Sequence, residues 1–352
     1  MAVPEPLRTS LLGLATSRPA RRVLRPLVRH HVAIMMLHRF ADIDRGIEGH
    51  DPALLRAALS MLRKEGVPLL SLRETIAGLL AGEPIEGIAF TIDDGYDDFA
   101  TSGAPVFHEF DCPATVFLAT GFLDGHDWNW WDKVDHALVR SKHLPDVLTI
   151  AEHTRIPLRT PGDRQAAYQR IIGSLKQLSE YQRQAEVAKI IEIMQVDLPK
   201  EAPHQRAPLT WPTVRKLHDR GIDFGPHTVT HPHLTTMTED EVRWEIGESY
   251  KRLREELADP VPVFCYPFGQ PQDLCSTVTR AARAVGLDAA LTAVPGYVSS
   301  SMPALDLYRL PRFSLPGNLV DLRQITGGFE RLKHILRSTV SLNTRRDKTR
   351  SV

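Results

Sequence analysis

Four carboxylates fall within eight residues in the segment TIDDGYDD, residues 91–98, directly after the apolar run GIAF. The apolar run predicts a strand, and ligands of α/β folds bind at the carboxyl ends of strands. Gly95 frees the backbone to turn here, so Asp93 and Asp94 can both face one cavity. The alternative is that these two acids only cap the following helix, as the last two acids of the segment are expected to do.

A second cluster, HTVTHPHL at residues 227–234, contains imidazoles at His227, His231 and His233. The intervening Thr-Val-Thr favours extended backbone and Pro232 ends it, which predicts ligands on a loop or strand end rather than on a helix. Neutral imidazoles and a carboxylate suit zinc or a similar divalent ion, and two His with one Asp leave positions open for water and substrate. Taken alone, the three histidines are equally compatible with surface or core positions.

Two more strand ends carry polar groups. The segment FCYPFGQP, residues 264–271, runs from a strand into a Pro-Gly turn and offers a backbone N–H, although an ordinary turn explains it equally well. His38 follows the apolar run at residues 32–37. A lone histidine at a strand end is more often structural than catalytic.

The elements that would position these residues alternate along the chain. Helical spacing of apolar residues occurs at 52–65 and 239–257, and short β-rich runs occur at 32–37, 87–92, 114–119, 222–224 and 261–266. The alternation predicts an α/β fold with a mostly parallel sheet or barrel.

One stretch interrupts this alternation. Between residues 128 and 211 we find no strand pattern, and residues 164–194 have helical spacing. We therefore predict a helical insertion over about 128–211, which is either a lid or a layer that only buries core.

Composition indicates a soluble globular protein of one large or two ordinary domains, with 352 residues, 42% of them hydrophobic and 24% charged. The formal net charge is zero, but residues 1–31 hold six Arg against one Glu, and residues 331–352 hold seven Lys or Arg against one Asp. No basic stripe with interleaved aromatics is present, so we expect no nucleic-acid partner. Solvated ends are the more common interpretation of such basic segments, and peripheral contact with an anionic membrane is the alternative.

The sequence also bears on the compartment. Its first apolar cluster, LLGLA, is shorter than the core of a signal peptide, and no run approaches the ~20 apolar residues of a membrane helix. The three cysteines, Cys112, Cys265 and Cys275, form no CxxC pair, which fits a reducing compartment. We expect a cytoplasmic protein, or one at the inner face of the membrane.

The motifs TIDDG, HTVTH and YPFG, in that order and each after an apolar run, resemble those of the polysaccharide deacetylases, the NodB-homology group of carbohydrate esterases. The resemblance covers roughly residues 32–315. It implies a distorted (β/α)7-type barrel that removes N-acetyl, or occasionally O-acetyl, groups from sugars with a divalent metal. Zn²⁺ is the first expectation for the metal, with Co²⁺, Ni²⁺, Fe²⁺ and Mn²⁺ as alternatives.

The resemblance also implies roles for single residues. TIDDG matches the family's TFDDG, which makes Asp93 the general base and Asp94 a metal ligand. HTVTH matches the family's H(S/T)xxH, which makes His227 and His231 the other two ligands. His233 lies outside that motif.

Two family features are missing. The third motif, RxPY, aligns with CYPF, so the oxyanion-binding N–H passes to Phe268 while the motif arginine is absent. The late Leu-x-His motif, source of the general acid, also has no counterpart. Both gaps resemble a branch that includes biofilm poly-N-acetylglucosamine deacetylases and exopolysaccharide-cluster proteins. By that resemblance His38 is the acid and Arg312 of LPRF replaces the missing arginine.

The segment WNWWDKVDHAL, residues 128–138, resembles the same branch. Trp130 or Trp131 could stack on a sugar ring, although core packing is the more common role of such residues.

The function we predict is metal-dependent hydrolysis of the N-acetyl group of an acetamido sugar, in a polysaccharide or in a lipid-linked or nucleotide-linked precursor, with release of acetate. The alternatives are hydrolysis of other C–N bonds on the same barrel and a catalytically silent carbohydrate-binding protein. The predicted domains are a basic segment 1–31, the barrel 32–330 with its insertion, and a basic tail 331–352. The sequence assigns no oligomeric state.

Overall fold

The computed structural model describes residues 18–142, 144–151, 153–158, 163–302 and 305–336. Much of the predicted basic ends, residues 1–17 and 337–352, lies outside these described residues, so their membrane contact stays a prediction. Within the described ranges no helix combines the length and the apolar character needed to cross a membrane.

Strands and helices alternate through most of the described chain. The strands are β1 Val32–Leu37, β2 Leu69–Leu70, β3 Gly87–Ile92, β4 Ala114–Leu118, β5 Val147–Ile150, β6 Thr154–Pro157, β7 Ile222–Pro226, β8 Val263–Cys265, β9 Ala289–Leu291 and β10 Phe313–Ser314. The helices are α1 Arg18–Leu24, α2 Pro52–Lys64, α3 Leu72–Ala81, α4 Ala104–Glu109, α5 Thr120–Leu123, α6 Trp130–Arg140, α7 Asp163–Leu175, α8 Glu180–Ile193, α9 Trp211–His218, α10 Glu239–Glu256, α11 Ser276–Ala284 and α12 Leu319–Thr326. The five predicted strands and the two predicted helices are all present.

Parallel pairing places the strands in a barrel. One sheet has the order β10-β1-β3-β4-β7, with β2 paired to the first half of β3, and β8 pairs with β9. The N–H of Val261 donates to Phe224 O at 2.7 Å and joins the β8 side to β7. A parallel bridge between Leu291 and Leu310 joins β9 to the segment that enters β10. The predicted α/β fold with a distorted barrel is confirmed. The backbone pairing between neighbouring strands is weakest between β7 and β8.

Both faces of the barrel strands are buried, which explains why their sequences are almost continuously apolar. In β1, Val32 and Ile34 pack in one hydrophobic cluster, whereas Ala33, Met35 and Leu37 pack in another. Successive side chains of a strand point to opposite faces. Along β3, residues 89, 91 and 93 therefore share one side, which places Thr91 and Asp93 together.

The insertion over about 128–211 differs from its prediction in one respect. It contains α6, α7 and α8, but also an antiparallel hairpin of β5 and β6, where no strand was expected. The strands are only four residues each and alternate partly exposed with buried positions, so their pattern is too short to stand out. The single helix expected at 164–194 is two helices, because Ser179 begins α8 with a capping box.

The insertion buries a hydrophobic cluster of its own, which includes Val134, Leu148, Ile171 and Ile190. The predicted core-burying role is therefore present. The insertion also forms one wall of the cleft described below.

Candidate active site

A cleft of about 340 Å³ opens at the carboxyl ends of the barrel strands. The barrel contributes His38 after β1, Asp93 and Asp94 after β3, and further residues after β7 and β8. The insertion contributes other residues to its wall. Parallel strands of a barrel end at the same face, so segments far apart in sequence converge here.

Asp93 forms a bidentate ion pair with Arg312 at the base of this cleft. Arg312 Nη1 donates to Asp93 Oδ1 at 2.8 Å, and Nη2 donates to Oδ2 at 2.7 Å. The same guanidinium donates to Thr292 O at 2.8 Å and to Thr91 Oγ1 at 3.0 Å. Burial alone would raise the pKa of Asp93, but the charge and hydrogen bonds of Arg312 outweigh burial and hold that pKa below its usual range.

Cys265 stands where the family motif has its arginine. Its Sγ lies 3.2 Å from Arg312 Nη2 and 3.5 Å from Asp93 Oδ1, and burial raises the pKa of this thiol. A small side chain at this position leaves space for a guanidinium that arrives from the β10 side of the barrel. The structure thus places an arginine beside Asp93 from a different strand.

Asp94 faces two imidazoles. Both His227 Nε2 and His231 Nε2 lie 3.5 Å from Asp94 Oδ1, and all three residues are buried. His227 Nδ1 lies 2.8 Å from Cys265 O, which identifies Nδ1 as a protonated nitrogen, and Nε2 faces Asp94. Burial lowers the pKa of His227, but its interactions with Cys265, Asp94 and Asp93 raise that pKa above the usual range, so Nε2 becomes a metal ligand when its proton is lost. Burial lowers the pKa of His231 to about 3, so its imidazole is neutral.

These three residues fit a divalent metal. Their ligand atoms lie within 4.8 Å of one another. Two ligands at a Zn–N or Zn–O distance of about 2.1 Å in a tetrahedron are about 3.4 Å apart, close to the two observed separations of 3.5 Å. Three protein ligands leave a position for water or substrate. A second group, Asp93 with His227 and Cys265, also meets the distance criterion, but Arg312 already occupies both oxygens of Asp93.

The backbone around the site is strained. Asp94, Thr228, His231 and Phe268 have φ of 75°, 69°, 53° and 61°, a region that residues other than glycine rarely adopt. Such conformations cost about 1–3 kcal/mol each and cluster at functional sites. The strain at Asp94 and His231 directs their side chains into the cleft.

The loop that carries the two histidines is held from below by Glu245 of α10. The buried carboxylate of Glu245 accepts from Val229 N at 2.8 Å and from Thr230 N at 3.0 Å. On the other side, Gly121 N donates to Val229 O at 2.9 Å, and a Cβ at Gly121 would lie only 2.8 Å from that oxygen. Sequence reasoning missed Glu245, although its place three residues after Val242 and four before Ser249 puts it on the buried face of α10, where an acid needs a partner.

His231 is positioned by rings rather than by a hydrogen bond. The rings of Trp131, His227 and Phe268 lie 4.7, 4.7 and 5.0 Å from its ring centroid. Its Nδ1 is buried and has no hydrogen-bond partner among the residues that the structure describes. Trp131 in turn donates its indole N–H to Tyr96 Oη at 2.9 Å. Trp131 therefore supports His231, and both Trp130 and Trp131 also line the cleft.

Phe268 offers a backbone donor at the turn after β8. In the described part of the chain no acceptor is bonded to its N–H, and Phe268 has a positive φ of 61°. Its ring stacks on His233 at 5.6 Å, and His233 Nε2 lies 3.0 Å from Asp273 Oδ1. His233, which lies outside the family motif, thus links the histidine loop to the Phe268 turn.

His38 lies at the open side of the cleft. Its Nε2 is 3.9 Å from Asp93 Oδ2, and its side chain is 46% exposed. A group with this placement can meet solvent on one side and a bound molecule on the other.

The helix-capping role expected for the last two acids of TIDDGYDD is wrong. Asp98 precedes the π-helical turn Phe99–Gly103 but makes no side-chain cap. Its carboxylate instead accepts from Phe40 N at 2.7 Å and pairs with Arg39, and Asp97 pairs with Arg45 at 2.9 Å. These acids join the loop after β1 to the loop after β3, a long-range role that sequence spacing cannot indicate.

The seven candidate residues therefore lie together. Asp93, Asp94, His38, His227, His231 and Phe268 line one cleft, and Arg312 lies directly behind Asp93. Sequence reasoning missed Tyr168, Gln169 and Lys176, which reach the same cleft from the insertion.

Comparisons with known proteins identify the family and the fold. A family model described as polysaccharide deacetylase matches residues 82–290. The fold is similar to that of the Streptococcus pyogenes deacetylase PplD in complex with acetate, with a TM-score of 0.54, 18% identity and coverage of 84% of this chain and 97% of that chain. For IcaB from Ammonifex degensii the TM-score is 0.53, the identity 14% and the coverage 85% and 97%.

A de-N-acetylase from Aggregatibacter actinomycetemcomitans gives a TM-score of 0.52 at 12% identity, over 83% of this chain and 99% of that one. At such low identities these likenesses show the fold alone. No curated protein matches the sequence.

Removing one of the three clustered ligands should abolish tight metal binding. We expect His231→Ala to lower the affinity of chelator-treated protein for Zn²⁺ by at least about 100-fold, because a ligand is lost rather than an outer partner. The measurement is isothermal titration calorimetry. His233→Ala is the matched control, since its imidazole lies two residues away and pairs with Asp273. An equal loss in both variants would contradict the ligand assignment.

Proposed function

Because the chain belongs to the polysaccharide deacetylase family, we propose that it is a divalent-metal-dependent enzyme that removes the N-acetyl group from an acetamido sugar. Family membership makes it a hydrolase of carbon–nitrogen bonds other than peptide bonds. One observation supports the finer proposal. Asp93, which forms an ion pair with Arg312, lies in the same cleft as the three possible metal ligands Asp94, His227 and His231. Zn²⁺ is the metal we propose first, since neutral imidazole and carboxylate suit it.

A divalent ion held by these three residues supplies Lewis-acid chemistry, which polarises a carbonyl and lowers the pKa of water. Asp93 then accepts a proton from the attacking water. Arg312 keeps Asp93 ionised and fixes both of its oxygens, and a carboxylate with two accepted bonds retains further lone pairs for the water. The proton acceptor is thus ready before substrate arrives.

The remaining steps fall to the donors around the reacting carbon. The Phe268 N–H donates to the oxygen that gains negative charge as the carbonyl carbon becomes tetrahedral, a type of contact worth about 3 kcal/mol in other enzymes. His38 donates a proton to the sugar nitrogen as the C–N bond breaks. The water oxygen stays on the acyl carbon, so the products are acetate and a free amino sugar.

For the substrate we propose a lipid-linked or nucleotide-linked acetamido sugar, or a polysaccharide that carries one. The proposal includes action in the cytoplasm, at the inner face of the membrane, and rests on the basic composition of the two ends.

The proposal is tested by acetate release from a panel of N-acetylated sugars, free, lipid-linked and polymeric. We expect chelator-treated protein to be inactive and to recover when Zn²⁺ or Co²⁺ is added. Asp93→Asn should lower kcat by about 10²- to 10⁴-fold, because the proton acceptor is lost, while Zn²⁺ binding stays near that of the unmodified protein. Full activity without metal would refute the proposed reaction.

Removal of Arg312 should change the pH dependence. The pKa of Asp93 is held low by Arg312, so Asp93 is ionised and active above that pKa. In Arg312→Gln burial is opposed only by the weaker effects of His227 and His38, and we expect the acid limb of the kcat/KM profile to move up by about 1–3 pH units. The control is Arg309→Gln, since Arg309 is half-exposed and pairs with Asp306, three residues away in the chain. An unmoved acid limb would contradict the role of Arg312.

The role of His38 is tested by the leaving group. His38→Ala should lower kcat for acetamido sugars by about 10²-fold or more, because the amine cannot leave without a proton. An aryl acetate, whose phenolate leaves unprotonated, should be hydrolysed at nearly the same rate by both proteins. If His38→Ala lowers the rate equally for both substrates, or for neither, His38 is not the general acid.

A further inference from the structure

The insertion contributes a lysine side chain to the cleft. Lys176 directly follows α7, and its Nζ lies 4.9 Å from the centroid of the Phe268 ring. Among the residues that the structure describes, its ammonium has no hydrogen bond and no carboxylate within ion-pair distance. The ring contact of this ammonium is thus with Phe268, the residue whose backbone N–H is proposed to donate to the reacting carbonyl.

The carboxylates of this region already have partners. Asp93 is paired with Arg312, and Asp273 is paired with His233. Asp94 faces two imidazoles and, by the proposed function, a divalent cation. When a divalent cation is held at Asp94, positive charge exceeds negative charge among these described groups, and Lys176 is the cation that has no carboxylate partner of its own.

The charge of Lys176 is also poorly solvated. Burial lowers the pKa of Lys176 and outweighs the opposing effect of the Asp273 and Asp94 carboxylates. A charge that is taken partly out of water, with no ion-pair partner of its own in the described chain, is stabilised when an anion binds beside it.

We propose that Lys176 binds a phosphate group carried by the sugar substrate, so that the substrate class is an acetamido sugar joined to phosphate or diphosphate through its anomeric carbon. The lysine ammonium is a compact charge that suits phosphate. The amides of Gln169 and Gln270, which line the same cleft, can add hydrogen bonds. This inference rests on the proposed function.

The position of Lys176 suits this chemistry. The anomeric carbon of a 2-acetamido sugar is bonded to the carbon that bears the nitrogen, so its phosphate lies close to the acetyl group. Lys176 packs on Phe268, the residue proposed to contact that acetyl group, so one sugar can reach both. The volume of about 340 Å³ is at the lower end for small-ligand clefts, which fits one sugar and a flanking group.

The kinetic test compares substrates that differ in charge. Acetate release would be measured with UDP-N-acetylglucosamine, with polyprenyl diphosphate N-acetylglucosamine, and with a neutral N-acetylglucosamine oligomer. We expect Lys176→Met to lower kcat/KM about 10- to 100-fold on whichever phosphate-bearing substrate the protein accepts, chiefly through KM, and to change the neutral oligomer less than about twofold. Lys176→Arg should retain most of the activity. The first two substrates distinguish a nucleotide source from a lipid source.

The control is Lys189→Met, because Lys189 lies on α8 of the same insertion and is paired with Glu186 away from the cleft. It should leave both substrate types unchanged. If Lys176→Met lowers activity equally on charged and neutral substrates, Lys176 supports the Phe268 turn and the proposal is overturned. A wild-type preference for the neutral oligomer overturns it as well.

A binding measurement separates this inference from the proposed reaction. Calorimetry with N-acetylglucosamine 1-phosphate should give a Kd about tenfold or more weaker for Lys176→Met than for wild type, with no such difference for N-acetylglucosamine. Lys176-dependent phosphate binding without acetate release from any sugar would leave this inference standing and refute the proposed function. Equal binding of the phosphate by both proteins would overturn the inference alone.

Discussion

The bidentate pair between Arg312 and Asp93 is the interaction on which the site depends. A buried carboxylate or guanidinium without a partner is strongly destabilising, so each of these residues requires the other. The Arg312 guanidinium also donates to Thr292 O and to Thr91 Oγ1, and these hydrogen bonds join the β9–β10 side of the barrel to β3. One side chain therefore keeps Asp93 ionised and adds a link between two sides of the barrel.

The adjacent acids Asp93 and Asp94 occupy different environments although they are neighbours in sequence. Asp93 continues the inward side of β3 and meets Arg312, whereas the positive φ of Asp94 turns it toward His227 and His231. A fixed cation balances the first carboxylate, and a site for a divalent ion suits the second. Two negative charges can stay close because Asp93 is paired with Arg312 and Asp94 faces two imidazoles in a group that could hold a metal ion.

The insertion does more than add a stable helical layer to the barrel. It buries its own hydrophobic cluster, and from that rigid base it places Trp131 against His231 and Lys176 against Phe268. The first contact orients a candidate metal ligand, and the second brings a charge to the cleft. The same helices thus both bury a core and form a wall of the cleft.

The sequence by itself determined the α/β class, the main strands and the identity of the paired motifs, because apolar periodicity and short clusters of Asp and His are local properties. The hairpin of β5 and β6 was not predicted, because strands of four residues show too little periodicity in their apolar residues. Only the tertiary structure decided that Asp98 binds the loop after β1, that Glu245 supports the histidine loop, and that Lys176 enters the cleft. Each of these contacts joins segments whose proximity depends on barrel closure and helix packing, and no pattern along the chain records that proximity.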